Sequence, residues 1–292
     1  MGLRDALDEG RFAVTAEVGP LKGTDTAEAF EVADLLKGKV DAANVTDQQS
    51  AVMRLGSLAT SSLLVGRGLD PVYQLTCRDR NRIALQSDLL SAHVLGIRNV
   101  LALTGDFPTF GDHPDAKAVY DLDSVQLAWA MRRMNEGYDI SGHELEGKTD
   151  FFIGAVVTPY TDTEEAFELQ CIKMEKKIEA GARFFQTQAV YDATVFERFM
   201  KRAGKLGVPV LAGIIPLRSD KMARYMNRNV AGVYVPDDVI AEMAGAEKKM
   251  SRGLEIAARL IKELRSMCQG VHIMAIGMEK KVPEILELAG LS

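Results

Sequence analysis

The chain has 292 residues, 47% of them hydrophobic and 26% charged, with a formal net charge of -6. That balance provides for a sizeable core and a solvated surface, and it excludes a disordered, low-complexity chain. It also argues against a nucleic acid or an anionic membrane surface as a partner held mainly by charge. Three cysteines, Cys77, Cys171 and Cys268, lie far apart with no CxxC pair, so neither a disulfide framework nor a zinc site is indicated. The first residues, "MGLRDALDEGRFAV", are charged throughout and do not read as a signal peptide. No apolar run approaches the ~20 residues that span a bilayer. A soluble, cytoplasmic protein of a reducing compartment is expected.

In chain order, an apolar, β-rich run returns eight times: residues 12–18, 40–47, 70–77, 99–106, 151–159, 183–190, 208–216 and 271–277. Amphipathic stretches separate the runs, with helices predicted over 27–36, 81–95, 164–180, 193–206 and 253–267. In the first helix, Ala27, Phe30, Val32, Ala33 and Leu36 form the apolar stripe; in the second it is Ile83, Leu85, Leu89, Leu90 and Leu95. The runs are almost continuously apolar, as parallel strands covered by helices should be. Eight such units predict an α/β fold, a single-domain (β/α)8 TIM barrel over 1–292. A doubly wound sheet needs fewer strands, and no G-x-G-x-x-G follows the first run. Two insertions break the rhythm. Residues 136–150 join a helix to the fifth strand, at the barrel's amino-terminal face, and read as structural. Residues 235–250 follow the seventh strand, where Asp237 or Asp238 is placed to cap a short extra helix.

Barrels of this type build their sites at the carboxyl ends of the strands. Those ends carry Glu17; Asn44, Thr46 and Asp47; Gln74, Thr76 and Arg78; Thr104, Gly105 and Asp106; Thr158 and Tyr160; and Gln186 and Gln188. Glu17 stands in an apolar strand, where burial favours a neutral carboxyl and suits a general acid. A salt-bridged or exposed glutamate is the plainer reading. Gln186 and Gln188, two residues apart, point to one face and suit a heteroaromatic ligand with donor and acceptor edges. The plainer alternative is a polar layer inside the barrel. His93, His113 and His143 show no metal-ligand spacing. Lys280 or Lys281, at the start of the final helix, is placed to reach an anionic ligand tail.

At these residues the chain resembles the flavin-dependent methylenetetrahydrofolate reductase family, of the short bacterial type. "TAEVGP", "LTCRDRNR", "ALTGD", "KKIEAGARFFQTQAVYD" and "LAGIIPL" carry the resemblance, in this order. It implies a flavin at the strand carboxyl ends and reduction of 5,10-methylenetetrahydrofolate to 5-methyltetrahydrofolate. Glu17 matches the general acid that protonates N10. Asp106 matches the aspartate beside flavin and pterin, and Gln188 the glutamine that hydrogen-bonds the pterin. Gly105 is read as allowing close approach of a ligand to the backbone. The flavin contacts implied are Thr46, Gln74, Thr104, Gly105, Asp106, Tyr120, Asp121 and Lys177. Gln74 stands where histidine is frequent, Thr104 where arginine is, and Gln170 where an acid is; residues 275–281 contain no arginine for the folate tail. FAD and FMN therefore both stand as the flavin. The electron donor implied is NAD(P)H or, as in short reductases of anaerobic one-carbon pathways, an iron–sulfur subunit; an oligomer is expected. Two other classes stay open. A lyase or aldolase barrel would need a Schiff-base lysine at a strand end, and none is there. A pterin-binding or methyl-transfer subunit of a larger complex would lack redox turnover of its own.

Overall fold

In the computed structural model, which describes residues 2–291, eight parallel strands close into one barrel in the order β1 to β8. They are Ala13–Val18 (β1), Ala42–Val45 (β2), Pro71–Thr76 (β3), Asn99–Leu103 (β4), Phe152–Val157 (β5), Phe184–Ala189 (β6), Val210–Ile214 (β7) and Gly270–Ile273 (β8). Seven predicted runs each contain one whole strand, β8 begins at Gly270, one residue before the eighth run, and each strand is shorter than its run. β4 stops at Leu103, so Thr104, Gly105 and Asp106 belong to the loop beyond it.

Strand side chains alternate between inside and outside, and the inside changes character from one end to the other. At the amino-terminal end Ala13, Ala42, Val72, Leu101, Phe152, Phe184 and Leu211 form one apolar cluster. Phe152 and Phe184 stack at 5.0 Å, and Phe184 fills the space over Gly154, where a Cβ would sit 2.3 Å from its ring. A short helix, α1 (Leu3–Asp8), closes this end by adding Leu3, Ala6 and Leu7 to the cluster. The half-buried Asp70 carboxylate accepts from the Leu3 amide at 3.0 Å and from Asn99 Nδ2 at 2.9 Å, while desolvation raises its pKa. One residue pair further along, β1, β2, β3, β6 and β8 turn polar on the inside, at Thr15, Asn44, Gln74, Gln186 and His272.

The outward faces pack against α2 (Ala27–Leu36), α3 (Ser57–Gly66), α4 (Arg82–Val94), α5 (Ser124–Glu136), α6 (Glu164–Glu179), α7 (Ala193–Ala203), α8 (Asp220–Asn229), α9 (Asp237–Gly245), α10 (Lys249–Leu264) and α11 (Val282–Ala289). Side-chain oxygens begin several of them: Asn81 caps α4, Thr163 α6, Asp192 α7 and Ser219 α8, while Asp123 and Gln126 form a capping box on α5. In α2 the buried stripe is Ala29, Val32, Ala33 and Leu36, so Ala27 and Phe30 flank it. On α4 only Leu85 and Leu89 of the predicted stripe are buried, joined by Ala92, whereas Ile83 is 75% exposed. Pro236, not Asp237 or Asp238, stands at the cap position of α9, and both aspartates lie in its first turn. The 136–150 insertion runs from α5 to β5, folds on itself through a Tyr138–Glu144 bridge and is tied to α4 by Ile140 N–H donating to Gln86.

Candidate active site

The polar end of the barrel opens into a cavity of about 830 Å³, within the usual range for small-molecule sites. Period two puts Glu17, Thr46, Gln74, Thr76, Leu103, Val156, Gln186, Gln188, His272 and Met274 on its wall. Thr104, Gly105 and Asp106 join from the β4 loop, and Asp123 to Gln126 from the start of α5. Lys173, Lys176 and Lys177 come from α6, and Arg78 lines the wall on the side of Asp106.

Glu17 is buried, and His272 Nε2 lies 3.8 Å from its Oε1. No other described residue bonds its carboxyl group. Beneath it a polar layer crosses the barrel. Asn44 and Gln186 exchange amide hydrogen bonds at 2.7 and 3.0 Å, Gln186 Nε2 donates to Thr15 Oγ1 at 3.1 Å, and Thr15 Oγ1 lies 2.9 Å from His272 Nδ1. Gln186 thus belongs to the internal layer as well as to the cavity wall. Gln188 stands above it, past a register shift between β6 and β7.

Asp47 is committed to structure: its carboxylate accepts from the Thr76 amide at 2.9 Å, Thr76 Oγ1 at 2.8 Å and Arg80 at 2.8 Å. Asp106 reaches the other way, with Oδ2 accepting from Ser50 N–H at 3.1 Å. That amide belongs to a loop with left-handed backbone at Gln48, Ser50 and Ala51, where such residues are strained. Gly105 has φ +94°, and a Cβ there would press on Thr76 and Arg78 at 3.1 Å. Its own turn and its packing on Thr76 and Arg78 therefore require glycine, and its backbone also lines the cavity. Lys177 donates to Val156 O at 2.7 Å, and burial lowers its pKa to about 8. Thr46 Oγ1 is buried on the wall with no hydrogen-bond partner among the described residues.

Five sequence candidates, Tyr120, Asp121, Tyr160, Lys280 and Lys281, fall off the wall. The Tyr120 hydroxyl donates to the Gly105 and Asp106 carbonyls at 3.3 and 3.0 Å and braces their loop from behind. Asp121 is bound by Arg82 through its amide and guanidinium, which hold the carboxyl at about 2. Tyr160 stacks on Tyr234 at 5.0 Å and does not line the cavity. Lys280 and Lys281 are engaged by Glu31 and Glu284. Sequence reasoning missed His272, although the alternation of His272 and Met274 in the eighth run carried the signal. It also missed Lys173 and Lys176, one helical turn from Lys177 and at its side.

A closed βα barrel with a carboxylate-rich, amide-bearing cavity at its strand ends defines a small-molecule enzyme scaffold. A sequence profile described as Methylenetetrahydrofolate reductase matches residues 2–290, and the chain belongs to that family. A probable methylenetetrahydrofolate reductase (NADPH) of Caenorhabditis elegans is 23% identical over 261 residues, covering 86% of this chain and 36% of that protein. The 5,10-methylenetetrahydrofolate reductase of Pectobacterium carotovorum is 28% identical over 204 residues, covering 68% of this chain and 61% of its own length. The chain thus spans well under two thirds of the eukaryotic relatives. Among solved structures, a Clostridium thermocellum protein described as binding two copies of 5-methyl-5,6,7,8-tetrahydrofolic acid superposes with a TM-score of 0.67 at 15% identity, covering 98% of this chain and 97% of that one.

Proposed function

We propose that this chain is a flavin-dependent methylenetetrahydrofolate reductase of one-carbon metabolism. The reading rests on one observation: Glu17, Asp106 and Gln188, the three residues the family resemblance assigns to acid, charge and pterin contact, line a single cavity. The Clostridium thermocellum relative in fold, described with a methylfolate, is in keeping with it.

The wall suits a flavin, FAD or FMN. Thr46 Oγ1 offers an unused buried hydroxyl, and Lys173 and Lys177 of α6 offer positive charge for a phosphate chain, whereas Lys176 is paired with Glu179 and the amino-terminal end of α5 is capped by Asp123. When bound, the reduced flavin supplies hydride to the one-carbon unit. The protein's part is to make that carbon electrophilic. Glu17 gives its proton to folate N10, the five-membered ring opens, and the carbon stays on N5 as an iminium cation. Asp106, with one oxygen on Ser50 N–H and the other bonded to no described residue, places negative charge beside that cation. Gln188 orients the pterin through its amide. The donor that reduces the flavin is NAD(P)H or a partner iron–sulfur subunit.

The test is a visible spectrum of the purified protein before and after anaerobic addition of 5-methyltetrahydrofolate. A flavin band that bleaches supports cofactor, substrate and electron transfer together; a band that persists removes the folate. A colourless protein that takes up neither FAD nor FMN yet binds the methylfolate belongs to the methyl-transfer class.

A further inference from the structure

His272 touches the cavity, sits beside Glu17 and has no place in the chemistry above. It is buried, and its ring is gripped from one side only, by Thr15 Oγ1 on the adjacent strand at 2.9 Å. What that grip does follows from counting protons along the layer. Gln186 Nε2 has two protons, one for Asn44 Oδ1 at 3.0 Å and one for Thr15 Oγ1 at 3.1 Å. The Thr15 hydroxyl is therefore an acceptor toward Gln186 and has its own proton left to give. Two acceptors are in range: His272 Nδ1 at 2.9 Å and the Val271 carbonyl at 3.5 Å. The nearer takes it. With Nδ1 accepting, the neutral imidazole carries its proton on Nε2, the atom 3.8 Å from Glu17 Oε1.

We propose that His272 is a positioning residue for Glu17, held by the Asn44–Gln186–Thr15 layer in the tautomer that aims an N–H at the carboxyl group. This rests on the reading of Glu17 as the general acid. In ring opening the O–H bond of Glu17 breaks and the N10–H bond forms, with the electron pair of the N10–carbon bond retained on N10. His272 exchanges no proton. Its N–H faces the carboxylate left behind and stabilises it, which lowers the barrier to proton donation. The 3.8 Å separation is longer than a hydrogen bond, and a small rotation of either side chain closes it. The same contact fixes which way the carboxyl turns, and a misplacement of about 1 Å costs a hundredfold in rate.

The experiment separates the two half-reactions by stopped flow, using the flavin-loaded protein. In His272→Leu, reduction of the flavin should proceed at the parent rate. Its reoxidation by methylenetetrahydrofolate should slow by about 10- to 100-fold, mostly in kcat and little in KM. His272→Gln, which keeps an N–H donor at a similar reach, should recover part of that loss. Thr15→Val should reproduce the loss, and Thr15→Ser restore the rate. In a Glu17→Gln background His272→Leu should add nothing. An undiminished effect in that background, or His272→Gln as impaired as His272→Leu, would show a purely structural histidine and overturn the proposal. If the leucine variant does not fold, nitrogen-15 spectra of the parent decide: the ring must show a protonated Nε2 and a bare Nδ1, converting to a mixture in Thr15→Val. A parent protein whose flavin is never reoxidised by methylenetetrahydrofolate instead removes the enzymatic reading itself.

Discussion

Glu17 and Asp106 are both cavity carboxylates, but their surroundings give them different tasks. Glu17 is enclosed, with no described donor within hydrogen-bond distance; Asp106 is held by a backbone amide at the rim. Glu17→Gln keeps the shape and removes the transferable proton. It should leave flavin content and flavin reduction intact and slow folate reduction by about 10²- to 10⁴-fold; retention of more than a tenth of the rate excludes Glu17 as the acid. Asp106→Asn keeps the acceptor for Ser50 N–H and removes the charge, so folate turnover should fall further than flavin content does. An unchanged turnover rejects its electrostatic role. Lys177 gives a prediction with a pH axis. Its folded pKa of about 8 lies below the ordinary lysine value, principally through burial. Between the two values the unfolded chain binds the proton and the folded chain does not, so unfolding free energy rises with pH there. In flavin-free protein, the thermal midpoint of Lys177→Met should therefore gain less than the parent's between pH 7.5 and 10, values spanning roughly that interval. Parallel curves would show that Lys177 does not titrate in this window.

At the scale of elements, legibility followed packing. All eight strands could be read because parallel strands buried on both faces are unbroken apolar runs. α2 was legible to the residue, although its stripe was misread in two positions. α3 was not legible: the face it buries includes Ser57, Thr60 and Ser61, so its pattern lacks contrast. α8 buries only Ala223 and Met226 among ten residues and hides for the opposite reason. α1 escaped because six residues make no periodic stretch, yet it seals the barrel floor with Leu3 fully enclosed. Leu3→Ala should accordingly cost about 2–5 kcal/mol, as buried leucine truncations do. Urea unfolding would measure it, with the flavin spectrum unchanged because the floor is at the end remote from the cavity. A loss below about 0.5 kcal/mol would mean that α1 is an ornament on a barrel already closed by its own side chains.

At the scale of the whole molecule, one polarity gradient joins fold to function. The interior passes from the Phe152–Phe184 stack, through the Asn44–Gln186–Thr15–His272 layer, to the carboxylates and amides of the mouth. The strand ends of the sequence named most of that mouth, because alternation fixes which residues face inward. What they did not convey is how each polar group is spent. Asp47 is consumed by Thr76 and Arg80, and Asp121 by Arg82; only the folded distances show this. The same holds for the electron donor. The eukaryotic relatives named for NADPH or NADH match this chain over less than two fifths of their length, and the positions that the family resemblance assigns to flavin contact carry Thr104, Gln74 and Gln170 in place of arginine, histidine and an acid. A donor bound through such altered contacts should show weak selectivity or none. The flavin-loaded chain, mixed anaerobically with NADH, NADPH or a reduced low-potential iron–sulfur protein, separates the cases. Flavin bleaching by the iron–sulfur protein, with either nucleotide at least about a hundredfold slower, assigns the role to a partner subunit; a factor of that size corresponds to about 2.7 kcal/mol of barrier. Multiple turnover by the chain alone with NADH or NADPH, at a rate in the ordinary range of roughly 1–10³ s⁻¹, ends the need for one.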